Sequence, residues 1–427
     1  MKNLFRFGLA GAMLLALVVF VHENAVNAAG GPQDTENGPY RVLAPIESGN
    51  LLLFPVVRAS GKSPGATPFL TLDEGIKSGE VEVTEAGKAQ GLVRHRGSAG
   101  TPPQYHDDRY RGAPDYPDDH VRGDEVNTLV LVNHSDKPLL LLAGEIVTGG
   151  KQDRIIAKDR IVPANADPID LGVFCIEPGR WTGSSSSFGA SAKAPSRSIM
   201  VQPSVRQKAM VDRDQGKVWD SVRGSISQME RSAAPSASTS LDSSGPGGSG
   251  YYRSTGTTSY AQVMQDSAVS EKVDEAAAPV MKSRDQVLAQ LREEHAIGVV
   301  VAVRGEIVWA DLFASTDLLA RYWTKLVRSY AAESLTEGET NDTAPTVANA
   351  QHFLNAPSGG TETSEGDVGV YRYRELRSGN TETFVLQSLL PGADYDVHIS
   401  KLKLKNYEAR HQEGTRPPRH YDPQIYR

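Results

Sequence analysis

The chain has 427 residues, a formal net charge of -7 at neutral pH and a single cysteine. The mildly acidic balance excludes a general nucleic-acid binder, which needs a basic footprint, and a lone Cys175 excludes an intramolecular disulfide. The fold must therefore rest on buried apolar surface, which a chain of this length can supply.

Lys2 and Arg6 form a short positive region ahead of the apolar run Gly8 to Val21, which is followed by polar residues and by Val26-Asn27-Ala28. At about 14 residues the run is shorter than the roughly 20 needed to cross a bilayer. It reads as a cleavable signal peptide over residues 1–28, with an uncleaved anchor as the alternative. The expected destination is the periplasm or the extracellular space. Removing the net +1 of this segment (Lys2, Arg6, Glu23) from -7 leaves a mature chain near -8. No later apolar run reaches spanning length, so no membrane span is expected after cleavage.

One α+β domain is expected over residues 40–404, built mostly from antiparallel sheets of short strands with three to four packed helices. Leu51 to Val57 reads as a strand, Thr71 as the N-cap of a short helix through Ile76, and Glu80 to Thr84 as an alternating strand. Residues 96–124 are rich in Pro, Gly, Asp, Tyr and His and read as a long insertion. Thr128 to Asn133 and Pro138 to Ala143, joined by a four-residue polar link, carry a hairpin signature. Short strands follow at 155–162 and 169–176. Cys175 lies in the second of these and reads as a small buried hydrophobe.

Further on, Val218, Trp219, Val222, Ile226 and Met229 fall on one face of a helix over 211–229. Residues 232–280 and 336–366 read as flexible insertions. Ser283 can cap a helix through His295, and 297–313 reads as a hairpin turning at Arg304-Gly305. Thr316 or Asp317 can cap an amphipathic helix through Tyr330, and strands resume at 368–376, 381–390 and 396–404. Residues 405–427 read as a disordered tail.

Candidate chemistry concentrates between Gly144 and Trp181. In AGEIVTGGKQDR, Glu145 leaves an apolar strand, Gly149-Gly150 permits a tight backbone, and Lys151, Gln152 and Arg154 follow. A glycine pair beside two cations can hold an anion through backbone amides and side chains. The same residues can equally form a charged turn at a sheet rim. The GxxxxGK[ST] phosphate-loop frame is absent. In FCIEPGRWTG, Glu177 can act as a general base or pair with a cation, Arg180 adds a cation, and Trp181 can stack on a ring or close the core.

The strings LLAGEIVTGGKQDR, IVPA and CIEPGRW, in that order, resemble the ARG and Rhodanese-Phosphatase-superfamily-associated Protein domain family, where ARG abbreviates ADP-ribosylglycohydrolase. The resemblance runs from about residue 40 to 404 and implies that 366–404 belongs to the same domain. Its name implies an association with ADP-ribose and NAD-linked enzymes, which is not a mechanism. The signal peptide points away from that intracellular chemistry.

Three lesser signals remain, of which Arg304-Gly305-Glu306 needs no more than a turn role. His106-Asp107-Asp108 and Asp118-Asp119-His120 read as a solvated loop, so no metal is expected, and no cofactor motif is present. His398 and Ser400 share a strand face without an identifiable third triad member. GxSxG, HExxH and CxxC are absent.

Two functions are open. The first is a non-enzymatic exported module binding a small anionic or polar ligand, or a cell-envelope protein, through Lys151, Gln152, Arg154, Arg180 and Trp181. The alternative is a hydrolase for an ADP-ribose-like or other phosphorylated compound, with Glu145 or Glu177 as general base.

Overall fold

The structure, a computed structural model, describes residues 38–59, 68–85, 128–178, 187–190, 199–234, 255–282, 284–336, 341, 343–356 and 360–404. The expected signal peptide, the 96–124 insertion, the 405–427 tail and the site candidates Arg180 and Trp181 lie outside the described residues.

The N-terminal strands are β1 (Tyr40–Val42), β2 (Ile46–Ser48), β3 (Leu51–Arg58) and β4 (Leu70–Thr71), followed by helix α1 (Leu72–Ser78). Helix α1 starts at the expected cap. Thr71 and Glu74 form a reciprocal capping box, and Gly79 at φ 76° ends the helix in the left-handed conformation that glycine adopts without strain. Next come β5 (Val81–Glu85), β6 (Thr128–Asn133), β7 (Leu139–Leu141), β8 (Ile146–Gly149), β9 (Arg154–Ile156), β10 (Arg160–Val162), β11 (Ala166–Cys175) and β12 (Ser187–Ala190).

A helical stretch follows: α2 (Pro203–Gln207), a π-turn (Lys208–Asp212), α3 (Gln215–Ser232), α4 (Tyr260–Gln265), α5 (Ser267–Lys282) and α6 (Arg284–Glu293). The remainder is β13 (Ala296–Val303), β14 (Glu306–Phe313), α7 (Thr316–Ser334), α8 (Val347–Asn355), β15 (Thr361–Asp367), β16 (Tyr371–Ser378), β17 (Thr381–Ser388) and β18 (Tyr395–Lys403).

The strands form a nine-stranded sheet ordered β1-β3-β13-β14-β18-β17-β16-β15 with β2 also on β3, a six-stranded closed barrel β11-β6-β5-β12-β8-β9, and a three-stranded sheet β10-β7-β4. Pairing is antiparallel apart from β4 with β7. The α+β class is thus as read from the sequence, with more helices than the three to four expected.

The largest apolar core lies between the large sheet and the helices. Val218, Val222, Ile226 and Met229 of α3 meet Trp323, Leu326, Val327 and Tyr330 of α7 there, and barrel residues Ile146, Ile155 and Phe174 join the same cluster. A second cluster fills the barrel with Val83, Leu131, Val147, Val173 and Phe188. The third lies on the other face of the sheet, where Phe54, Val300 and Leu312 pack beneath Phe353 of α8.

Four expectations need correction. Strands β6 and β7 do not form a hairpin: β6 pairs with β5 and β11 in the barrel, whereas β7 pairs with β10 and β4. The short link between them changes sheets instead. The buried Asn133 amide secures it by donating to the carbonyls of Lys137 (2.9 Å) and Pro163 (2.8 Å) while accepting from the Ser135 N–H (3.1 Å).

The 232–280 insertion is helical from Tyr260 onward, because Val269, Val273, Ala277 and Val280 recur at helical spacing and are fully buried despite Pro279 inside α5. The 336–366 insertion likewise contains α8, started by a Thr346–Asn349 capping box, and the edge strand β15. The helix expected over 211–229 is interrupted by the π-turn and by Arg213 at φ 50°, and α3 proper starts beyond it at the Asp214 cap.

The 297–313 hairpin forms as read, with Arg304 (φ 51°) and Gly305 (φ 76°) both left-handed, the conformation that matches the twist of paired strands. A side chain at Gly298 would place its Cβ 2.2 Å from the Asp311 carbonyl of β14. The clash is with backbone, which cannot yield as a side-chain tip does. Gly298→Ala is therefore expected to destabilise the protein by about 3 kcal/mol, read as a lowered urea midpoint at unchanged slope.

Candidate functional site

The Gly149–Arg154 segment turns between β8 and β9 at one rim of the barrel, where β5 ends at Glu85 and β11 ends at Cys175. Gly150 sits at φ 53°, and a Cβ there would fall 2.1 Å from the Phe188 ring and 2.5 Å from the Glu85 carboxylate. The glycine is required by close packing.

The turn's own carboxylates occupy its amides. The Gly149 N–H donates to Asp153 Oδ1 (3.1 Å), the Lys151 N–H to Glu85 Oε1 (3.0 Å) and the Asp153 N–H to Glu177 Oε2 (3.2 Å). Asp153 Oδ2 also accepts from the Ser259 hydroxyl at 2.6 Å. Three of the five amides from Gly149 to Asp153 are thus held internally, so the backbone part of the anion site expected from the glycine pair is largely filled by acidic side chains.

The guanidinium of Arg154 stands apart from this satisfaction. Arg154 is 1% exposed. Its Nη1 donates to the Gln152 carbonyl at 2.7 Å, and its Nε has no partner. Among the described residues no carboxylate forms an ion pair with it. Beside it, the buried Gln152 has an unpartnered Oε1. Gln152, Arg154 and Glu177 of the expected site therefore gather at this rim with the backbone of Lys151. Asp153, inside the same turn, belongs to this group, as do Glu85 and Ser259, which went unnoticed in the sequence because a strand and a helix cap far along the chain bring them there.

Glu145 belongs elsewhere. It is fully buried, accepts from the Leu142 N–H (2.7 Å) and pairs with Lys325 of α7 at 2.6 Å. Lys325 also pairs with Asp73, at the start of α1. Burial pushes the Glu145 carboxyl up against the pull of the Lys325 ammonium, while two carboxylates outweigh burial and keep Lys325 charged. Glu145 and Glu177 thus have different partners and do not form a carboxylate pair.

A second polar group is sealed in the core. Arg206 of α2 makes a forked ion pair with Asp311 of β14 (2.9 and 3.2 Å) and lies 4.5 Å from the centre of the Trp309 ring. Tyr330 and Ser400 donate hydroxyl hydrogen bonds to the same carboxylate, Ser400 at 2.8 Å. His398 places Nδ1 2.6 Å from Asp159 Oδ2 and Nε2 3.3 Å from Asp311 Oδ1, and Asp159 Oδ1 accepts from the Ala143 N–H at 2.8 Å. Gly144 at φ 89° lets the Arg206 stem pass, since a Cβ would meet it at 2.5 Å.

His398 and Ser400 do find acidic partners, yet the imidazole faces carboxylates and not the Ser400 hydroxyl, so the group is not a nucleophilic triad. The register explains why they meet Asp311: it lies directly opposite Ser400 in the β14–β18 ladder. The only hint in the sequence was an aspartate interrupting the apolar strand around Trp309-Ala-Asp311-Leu.

Burial would lower the His398 pKa, but Asp159 and Asp311 reverse this and raise it to about 9. Burial would raise the Asp311 carboxyl, and Arg206 with His398 holds it well below the usual carboxylate range. Because the folded pKa of His398 lies above its unfolded value near 6.5, its stabilisation is complete below pH 6.5 and is lost as pH rises through about 9. The urea midpoint should accordingly fall between pH 6.5 and 9.5, and fall less in His398→Gln. Asp311→Ala, which strands Arg206 and His398 in the core, should cost about 3–5 kcal/mol.

Among the described residues no group of three or more His, Cys, Asp or Glu is arranged to hold a metal ion, and no helix is long and apolar enough to cross a membrane. No curated protein and no solved structure matches the chain. A family model does match, over residues 39–402, which takes in the barrel rim, the buried ionic group and all three sheets. The chain belongs to the ARG and Rhodanese-Phosphatase-superfamily-associated Protein domain family.

Proposed function

We propose that the protein is an exported binding module for an anionic ligand, and that Arg154 receives the anion. The observation that carries this reading is the nearly complete burial of a guanidinium without a carboxylate partner. Guanidinium groups stay charged in proteins, and a buried charge is costly unless it is paired. An external anion at Arg154 supplies the missing charge. Lys151 and Gln152 lie close to it in the chain, and Arg180 and Trp181 follow in sequence a few residues after β11, the strand that pairs with β9.

The hydrolytic alternative asks Glu145 or Glu177 to take a proton from water or substrate. Glu145 is spent on Lys325 and the Leu142 amide in full burial. Glu177 holds the Asp153 amide with one oxygen and is 2% exposed. Binding without turnover needs neither carboxylate to be available. Export rests on the pattern of residues 1–28 alone. An extracytoplasmic ligand or envelope component suits that destination better than a nucleotide does.

Two measurements test the reading. Thermal melts in a panel of carboxylate, phosphate and sulfate salts at constant ionic strength should give a saturable rise in Tm for at least one anion class in the wild type, and none in Arg154→Met. A response to no anion, or an equal response in the variant, removes Arg154 as the site. For export, the chain recovered from the secreting host should begin near Ala29 by intact mass; recovery at full length with Met1 retained overturns the cleaved-leader reading.

A further inference from the structure

We infer that the anion at Arg154 is a carboxylate carrying an N–H or O–H donor on a neighbouring atom, as in an N-acylated amino acid or a peptide C-terminus, and not a phosphate. The inference rests on the anion-binding reading above and narrows its chemistry.

Three features of the rim lead to it. Phosphate sites at glycine-rich turns work by aiming several backbone N–H groups at the ligand. Here the Gly149, Lys151 and Asp153 amides are directed at Asp153, Glu85 and Glu177. The same three carboxylates also set the local charge. All are buried within the rim, and a phosphate dianion would add two further negative charges beside them, whereas a carboxylate adds the one charge that the unpaired guanidinium lacks. Finally, with Nη1 committed to the Gln152 carbonyl and Nε unpartnered, the Nε–Nη2 edge of Arg154 is the side that can grip a planar carboxylate with two parallel N–H donors.

The neighbouring donor follows from Gln152. Its Oε1 is buried without a partner, on a residue whose own carbonyl touches the Arg154 guanidinium. A buried acceptor left unmade is costly. A ligand bearing N–H or O–H next to its carboxylate satisfies Arg154 and Gln152 together, and a bare carboxylate satisfies only Arg154. This difference separates two otherwise similar probes.

The experiment compares N-acetylglycine, acetate and inorganic phosphate by thermal shift on the whole chain at fixed ionic strength, with chloride as the reference. For a probe at about 100 times its Kd the expected rise in Tm is about 3 °C for a domain of this length. N-acetylglycine should reach half-saturation at a concentration about tenfold lower than acetate, the ratio expected for one satisfied buried acceptor. Phosphate should match chloride. Arg154→Gln should abolish the carboxylate responses, and Gln152→Leu should bring N-acetylglycine to parity with acetate. Should Arg154→Gln fail to fold, the Gln152→Leu comparison still decides the donor. An Arg154-dependent response to phosphate at or above that to N-acetylglycine overturns the carboxylate assignment and leaves the anion site standing. Equal responses to N-acetylglycine and acetate in the wild type overturn the donor. No Arg154-dependent response to any probe overturns both readings.

Discussion

The Asp311 carboxylate is the point at which the separate parts of this fold are tied. It sits on β14 of the large sheet with no exposure and draws Arg206 from α2, Tyr330 from α7 and both Ser400 and His398 from β18. His398 then reaches Asp159, in the turn between β9 and β10, so one chain of contacts runs from the large sheet to the barrel strands. Each charge here has lost its hydration and is tolerable only because of its partner. Shifting any of these elements by one residue of register would leave a guanidinium, an imidazolium or a carboxylate stranded. The group therefore specifies an arrangement as much as it stabilises one.

A similar logic holds at Lys325, where Glu145 and Asp73 enclose an ammonium on α7 and fix the start of α1 against the segment leaving β7. Across these two groups the buried cations have buried or half-buried anions, and the backbone amides nearby are used. The barrel rim differs in the pairing of its cation. Three of its amides are held by its carboxylates, and among the described residues Arg154 has no carboxylate ion pair and Gln152 Oε1 has no donor. Unpartnered buried polar atoms occur elsewhere too, among them Nε of Arg206 and Nε1 of Trp309 and Trp323, but the rim brings an unpartnered guanidinium Nε next to an unpartnered amide oxygen.

The local signals in the sequence were readable to very different degrees. The capping box at Thr71, the Arg304-Gly305 turn and the apolar face of α7 depend on residues a few positions apart, and each forms as its spacing indicates. The apparent hairpin at 128–143 failed because two buried apolar strands with a short link carry no information about which sheet each will join. Helix α5 was hidden by the Ser- and Gly-rich stretch ahead of it and by Pro279, although its buried valines keep helical spacing. The family motifs drew attention to Glu145, Lys151, Gln152, Arg154 and Glu177 without distinguishing their roles.

By itself the sequence determined the α+β class, the family, the caps and turns, and the short list of polar residues around 145–181, because all of these are encoded in neighbouring residues or in an ordered motif. Only the tertiary structure decided that Glu145 is an ion-pair partner in the core, that His398 and Ser400 serve Asp311, and that Arg154 has no carboxylate ion pair among the described residues. The physical reason is that the role of a charged side chain depends on which opposite charge reaches it after desolvation. In this protein those partners arrive from far along the chain, as Asp159 does for His398 from 239 positions away.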